Sequence, residues 1–234
     1  MTHARHIALL VPANNTTMAR EMPRWMGDGT RFTTLLIPRG QGMLSSATLP
    51  AYCDQAVALA RSLAGGDVDV LAYGCTAAGF MLGPAGDADV ARRLAQASGK
   101  PVATTASSMV GALRQQGATR IALLTPYQDD VNIRLRAFLA HYDIETVAFD
   151  SFYAADVHAL GRITEAQVEA KARELGAGQD CDALFIACSQ LPTREILDTL
   201  SQALGIPVLS SISATARQAQ ALLAGQAVAN SALA

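Results

Sequence analysis

An apolar run that ends in a cysteine, and that occurs twice, constrains this chain more than any other feature. The first copy is Val70-Leu71-Ala72-Tyr73-Gly74-Cys75-Thr76 and the second is Ala183-Leu184-Phe185-Ile186-Ala187-Cys188-Ser189. Each follows an aspartate, Asp69 or Asp182, and each delivers a cysteine and then a hydroxyl residue. A run with no polar alternation fits a parallel strand covered on both faces. The cysteine then falls at the carboxyl end of the strand, the edge at which open α/β sheets hold their ligands. Two such cysteines in one chain suggest a site with one thiol on each side of a substrate.

The two runs belong to a longer duplication. Arg120-Ile121-Ala122-Leu123-Leu124-Thr125-Pro126 repeats His6-Ile7-Ala8-Leu9-Leu10-Val11-Pro12 at almost the offset that separates the cysteines. Lys100-Pro101-Val102-Ala103-Thr104-Thr105 recurs, slightly displaced, as Ile206-Pro207-Val208-Leu209-Ser210-Ser211. The repeat is far longer than a solenoid unit, so two similar halves is the better reading. The expected fold is α/β, with two pseudo-symmetric halves, each a parallel sheet flanked by helices, and the active site between them. The expected division is 1–104 plus 210–234 for the first half, with a returning C-terminal helix, and 105–209 for the second. A chain of 234 residues has room for both. Periodicity and stop signals predict strands over 32–37 and 101–105, and helices over 49–64, 87–97, 107–116, 131–140 and 213–223. Asp129 or Asp130 is the expected cap of the helix over 131–140.

Composition narrows the chemistry. Half the residues are hydrophobic and 16% are charged, enough for a sizeable core, and a net charge of -2 gives no footprint for nucleic acid or an anionic membrane. No apolar run approaches the roughly 20 residues of a membrane span, and the N-terminus has no signal-peptide pattern. Four cysteines without zinc spacing argue against a bound metal and against a disulfide framework. A soluble cytoplasmic protein with reduced thiols is expected, with a homo-oligomer left open.

Cys75 and Cys188 are the candidate catalytic residues. Each is expected where a strand hands over to a helix, whose N-terminus stabilises a thiolate and lowers the thiol pKa. The backbone N–H groups of Thr76 and Ala77, and of Ser189 and Gln190, are candidates for binding a carboxylate. Asn15, after the first strand's proline, either caps a helix with Thr16 and Thr17 or meets substrate. Tyr127 takes the matching place in the second half, and its hydroxyl can donate to a carboxylate. Cys53 and Cys181 lack a repeated context and read as small buried hydrophobes. His158 reads as a solvated surface histidine. The loop over 38–44 has hinge glycines but not the spacing of a phosphate loop. It is expected to close over the ligand with Met43 and Leu44, leaving Arg39 near the rim and the anchoring to Asn15, Tyr127 and the N–H groups.

On these residues the chain resembles the Asp/Glu racemase superfamily over nearly its whole length. Val11-Pro12-Ala13-Asn14-Asn15-Thr16-Thr17-Met18 is similar to the N-terminal motif of maleate cis-trans isomerases, in which the asparagine at Asn15 contacts a substrate carboxylate. Pro126-Tyr127 is similar to that family's binding tyrosine, and Cys75 and Cys188 to its two catalytic cysteines. Tyr127-Gln128-Asp129-Asp130-Val131-Asn132 and the segment from Gly205 to Ser211 look more like arylmalonate decarboxylases. Those keep the cysteine at Cys188 but have glycine at Cys75, with oxyanion donors at Thr76 and Tyr127. The resemblance implies a cofactor-independent isomerase of a small carboxylate or dicarboxylate, by maleate-like cis-trans isomerisation or racemisation. The alternatives are an arylmalonate-type decarboxylase in which Cys188 donates the proton, and a non-catalytic carboxylate-binding protein.

Overall fold

The structure, a computed structural model, describes residues 4–39 and 42–226. Gly40 and Gln41 in the expected lid, and the outer ends of the expected division at 1–3 and 227–234, lie outside the described residues. The two halves of the duplication each form one four-stranded parallel sheet. The first contains β1 (Arg5–Pro12), β2 (Thr30–Ile37), β3 (Val70–Tyr73) and β4 (Val102–Thr104), in the order β2-β1-β3-β4. The second contains β5 (Arg120–Thr125), β6 (Glu145–Ser151), β7 (Ala183–Ile186) and β8 (Val208–Ser210), in the order β6-β5-β7-β8. Every strand pair is parallel, and Ile7 faces Val70 as Ile121 faces Ala183. Strands β3 and β7 are buried along their whole length, which is why their sequences show no polar alternation.

The strand order fixes where a ligand can sit. Between β1 and β3, and again between β5 and β7, the chain leaves in opposite directions along the sheet, opening a crevice at the carboxyl ends. Asn15 follows β1 and Cys75 follows β3, while Tyr127 follows β5 and Cys188 follows β7. All four therefore lie at a switch point.

The repeated polar residues act on the frame. Asp69 accepts the His6 N–H at 2.8 Å, and Asp182 accepts those of Thr119 and Arg120 at 2.8 Å each, so each aspartate ties its strand to the start of the neighbour. Those two backbone donors hold the Asp182 carboxyl below the usual carboxylate range. Thr104 caps α5 (Thr105–Gln115) by accepting from the Ser107 N–H, and Ser210 caps α10 (Ser211–Leu223) by accepting from the Ser213 N–H. Helix α10 packs against α5, against α1 (Thr17–Met26) and against β3 and β4.

Several elements depart from expectation. Helix α3 (Thr76–Phe80) starts directly after Cys75 and precedes α4 (Gly83–Ser98), which begins earlier than the periodicity suggests. The sequence pattern does not mark strand β6, α7 (Val157–Gly161) or α8 (Glu165–Gly176); β6 is only half-buried along most of its length and includes polar residues. In α6 (Asp129–His141) the N-cap is Gln128, and Asp129 and Asp130 occupy the first turn. There they favour the helix through its dipole and do not cap it. Helices α2 (Leu49–Arg61) and α9 (Leu197–Leu204) complete the described set. Among the described residues no helix is long and apolar enough to cross a membrane.

Candidate active site

Cys75 and Cys188 line one cleft of about 550 Å³, its open mouth included, between the two sheets. With them are Asn15, Thr76, Ala77, Tyr127, Ser189 and Gln190, so the two candidate catalytic cysteines and these six candidate binding residues line the same cavity. Asn14, Arg39, Met43, Leu44, Val131, Val157 and Leu160 share the lining. Among the described residues, no group of three or more His, Cys, Asp or Glu side chains could hold a metal ion.

The two cysteines are presented differently. Cys75, extended, is the N-cap of α3. Cys188 is followed by a turn, and α9 begins only at Leu197, so the expected helix after the second cysteine is absent. Instead Cys188 takes φ 124°, a region that disfavours any side chain. Such strain persists only where the surroundings over-determine it, and here they do. The Cys188 N–H donates to Ser211 Oγ at 3.0 Å, Ser189 Oγ donates to the Gly74 carbonyl at 2.8 Å, and the Thr193 N–H donates to the Glu21 carboxylate at 3.2 Å. The first half thus grips the segment that carries the second half's thiol.

That grip uses up polar groups expected to bind substrate. Asn15 Oδ1 accepts from the Thr17 and Met18 N–H groups, capping α1, while its Nδ2 donates to Ser189 Oγ at 2.9 Å. Gln190 Oε1 accepts the Thr16 N–H at 3.1 Å. Asn15 therefore both caps a helix and joins the halves, and we expect Asn15→Ala to lower the unfolding free energy by about 1–3 kcal/mol. Urea unfolding checks this; an unchanged midpoint would return Asn15 to a purely ligand-facing role.

Other donors remain open. Tyr127 Oη and Thr76 Oγ1 are buried without hydrogen-bond partners, as is Arg39 Nε. The Phe80 ring packs edge-on against Tyr127 at 5.7 Å between centroids and fixes its direction. Burial pushes the Tyr127 phenol well above its ordinary pKa, so it is a neutral donor facing Cys188 and Thr76. Tyr52, on α2, presents a further buried and unpaired hydroxyl toward Cys75. Nothing in the periodicity of α2 sets Tyr52 apart from an ordinary core residue. Arg39, half-buried, also lines the cleft, and it faces Cys75 closely enough to favour its thiolate.

Comparison with known proteins identifies the family and the fold. The sequence profile of the arylmalonate decarboxylase family matches residues 7–233. The chain belongs to the arylmalonate decarboxylase family. Within that family it is 30% identical to an arylmalonate decarboxylase of Bordetella bronchiseptica over 203 residues, covering 86% of this chain and 80% of the relative. It is likewise 30% identical to a maleate isomerase of Nocardia farcinica over 220 residues, covering 91% and 87%. Among solved structures, a cysteine-to-serine variant of the Nocardia farcinica maleate cis-trans isomerase, carrying a covalently bound succinylcysteine intermediate, superposes with a TM-score of 0.85. It is 28% identical, and the match covers 96% of this chain and 94% of that one. A liganded arylmalonate decarboxylase variant with a glycine-to-cysteine and a cysteine-to-serine replacement gives a TM-score of 0.83 at 28% identity, covering 95% and 94%.

The ionisation of the thiols in this arylmalonate decarboxylase family member corrects one expectation. Burial pushes both thiols up, and this outweighs every neighbour that favours a thiolate. Those neighbours are Arg39, the Ala78 N–H and Tyr52 for Cys75, and the Gln190 N–H, Tyr127 and the Leu191 N–H for Cys188. A charge on Cys75 also raises Cys188, so the pair tends to hold one proton rather than lose both. Since a raised thiol pKa leaves little thiolate at neutrality, alkylation of either cysteine by iodoacetamide is expected to climb about tenfold per pH unit from about pH 6 to about pH 8. A plateau already at about pH 6 would mean that the helix and donor effects win.

Proposed function

We propose that this chain is an isomerase of a small carboxylate that works through two opposed thiols, by maleate-type cis-trans isomerisation or by racemisation at Cα. The observation that carries this reading is that Cys75 and Cys188, delivered by equivalent strands of the two sheets, line one cleft. In cis-trans isomerisation, the Cys75 thiolate forms a C–S bond to one alkene carbon. The alkene electron pair moves to the neighbouring carbon, which takes the Cys188 proton. The former double bond rotates as a single bond. Cys188 then recovers the proton, and the returning electron pair expels the Cys75 thiolate to leave the trans alkene. The succinylcysteine intermediate in the Nocardia farcinica relative supports such an adduct. In racemisation, one thiolate takes the Cα proton while the opposite thiol gives its own to the other face, and the two exchange states. Either course needs one thiolate and one thiol, and mutual repulsion keeps the pair from losing both protons. Thr76 and Tyr127 hydroxyls would meet the negative charge that develops on the substrate carboxylate.

A second reading is decarboxylation of a malonate with Cys188 as proton donor. It is favoured by the apolar wall of Val131, Val157 and Leu160, which suits the apolar arm of a substituted malonate. Proton NMR in deuterated water with maleate, aspartate, glutamate, hydantoins and arylmalonates separates the cases. Alkene isomerisation or Cα deuterium exchange without loss of carbon is expected. Carbon dioxide release from an arylmalonate alone would replace the isomerase with the decarboxylase.

A further inference from the structure

We infer that Tyr52 is a positioning residue for Cys75. Its hydroxyl donates to the Cys75 thiolate and, with Arg39, places the single negative charge of the two thiols on Cys75. This inference rests on the cleft being the site of two-thiol chemistry. Tyr52 lies on the buried face of α2, beside Leu49, Cys53 and Ala56. It is 4% exposed, and its Oη has no hydrogen-bond partner among the described residues. A phenylalanine would fill the same space without burying a lone donor, which is unfavourable until something accepts from it. Tyr52 is not among the described residues that line the cleft, so its acceptor belongs to the protein, and the group its hydroxyl faces is Cys75. A neutral thiol accepts weakly and a thiolate strongly, so this hydrogen bond tightens when Cys75 ionises.

The surroundings of Cys75 leave this task to Tyr52. Tyr73 and Cys53 also face Cys75, but the Tyr73 hydroxyl turns toward Cys53. Tyr127 turns toward Cys188 and Thr76. Each thiol thus has one buried tyrosine, Tyr52 on the Cys75 side and Tyr127 on the Cys188 side. The neighbours that favour a thiolate at Cys188 are Tyr127 and two backbone N–H groups, all neutral, whereas Cys75 has the Arg39 cation as well. Tyr52 offsets Tyr127, and Arg39 then tips the charge to Cys75. Burial holds the Tyr52 phenol far above its ordinary pKa, so it stays a neutral donor and does not compete for the charge.

The test is the rate at which iodoacetamide alkylates each cysteine, resolved by peptide mass spectrometry, from about pH 6 to about pH 8. It is run on the full chain as wild type, Tyr52→Phe and Tyr52→Met. Losing a hydrogen bond to a charged group leaves fewer thiolates, partly offset by the greater nucleophilicity of each. Both variants should therefore alkylate Cys75 roughly threefold to tenfold more slowly at every pH. Cys188 should react as in wild type or faster. A Cys75 rate in Tyr52→Phe equal to wild type would overturn the inference, and slowing in Tyr52→Met alone would mark a packing role. Equal slowing of both cysteines would also overturn it, as the sign of an altered cleft. No substrate is used, so these outcomes stand apart from turnover. If Cys75 alone slows and no candidate substrate exchanges, isomerises or loses a carboxylate, the isomerase reading falls and this inference stays.

Discussion

Cys75→Ser and Cys188→Ser are each expected to lower turnover by about 10²–10⁴-fold, the contribution of a positioned acid, base or nucleophile. A serine hydroxyl stays protonated where a thiol can still ionise, so it can neither add to an alkene nor take a Cα proton in this buried cleft. Both thiols are almost fully buried, and serine is close to cysteine in size, so the circular dichroism and melting of both variants should stay near wild type. The outcome discriminates between mechanisms. In a two-thiol isomerase the losses are matched, because the reaction needs a thiolate on one side and a thiol on the other. A Cys75→Ser enzyme with near wild-type turnover would show that one thiol suffices, as in a decarboxylase that uses Cys188 alone. Following single-turnover proton exchange in deuterated water separates the two roles further. In the racemisation course, removal of either cysteine leaves exchange on one face only.

Tyr127→Phe should lower turnover by about 10²–10³-fold, the loss seen when one preorganised donor is removed from a developing oxyanion. Its effect on stability should be the reverse of an ordinary core deletion. The Tyr127 hydroxyl is buried and unpaired in the protein, so its removal deletes an unsatisfied group while the ring keeps its contact with Phe80. Relief of such a group is worth about 1–3 kcal/mol. An unchanged or raised melting temperature together with slow turnover is therefore expected. Lost stability with normal turnover would make Tyr127 a packing residue. Thr76→Val, which removes another unpaired hydroxyl of the cleft at nearly constant volume, should behave alike. Together the two substitutions measure how much the cleft gains from holding donors open, a cost to folding that is recovered only when charge develops on a bound molecule.

The two parallel sheets and the placement of the two thiols could be read from residues alone. A strand covered on both faces must be apolar throughout, so β3 and β7 announce themselves, and the duplication sets each cysteine at the same edge of its sheet. The repeated Asp69 and Asp182 and the hydroxyls of Thr104 and Ser210 also act locally, on backbone a few residues away or one strand across. Strand β6 escaped because a half-buried edge strand tolerates polar residues and loses the pattern that marks a core strand. What only the tertiary structure decided concerns groups brought together from opposite halves. Asn15 uses its amide on Ser189, 174 residues away in sequence, and Arg39 joins the lining that also holds Cys75. The direction of the thiol shifts belongs to the same class. The helix N-terminus that follows Cys75 is visible in sequence, but desolvation depends on everything that surrounds the sulfur, and around Cys75 and Cys188 it is the larger effect.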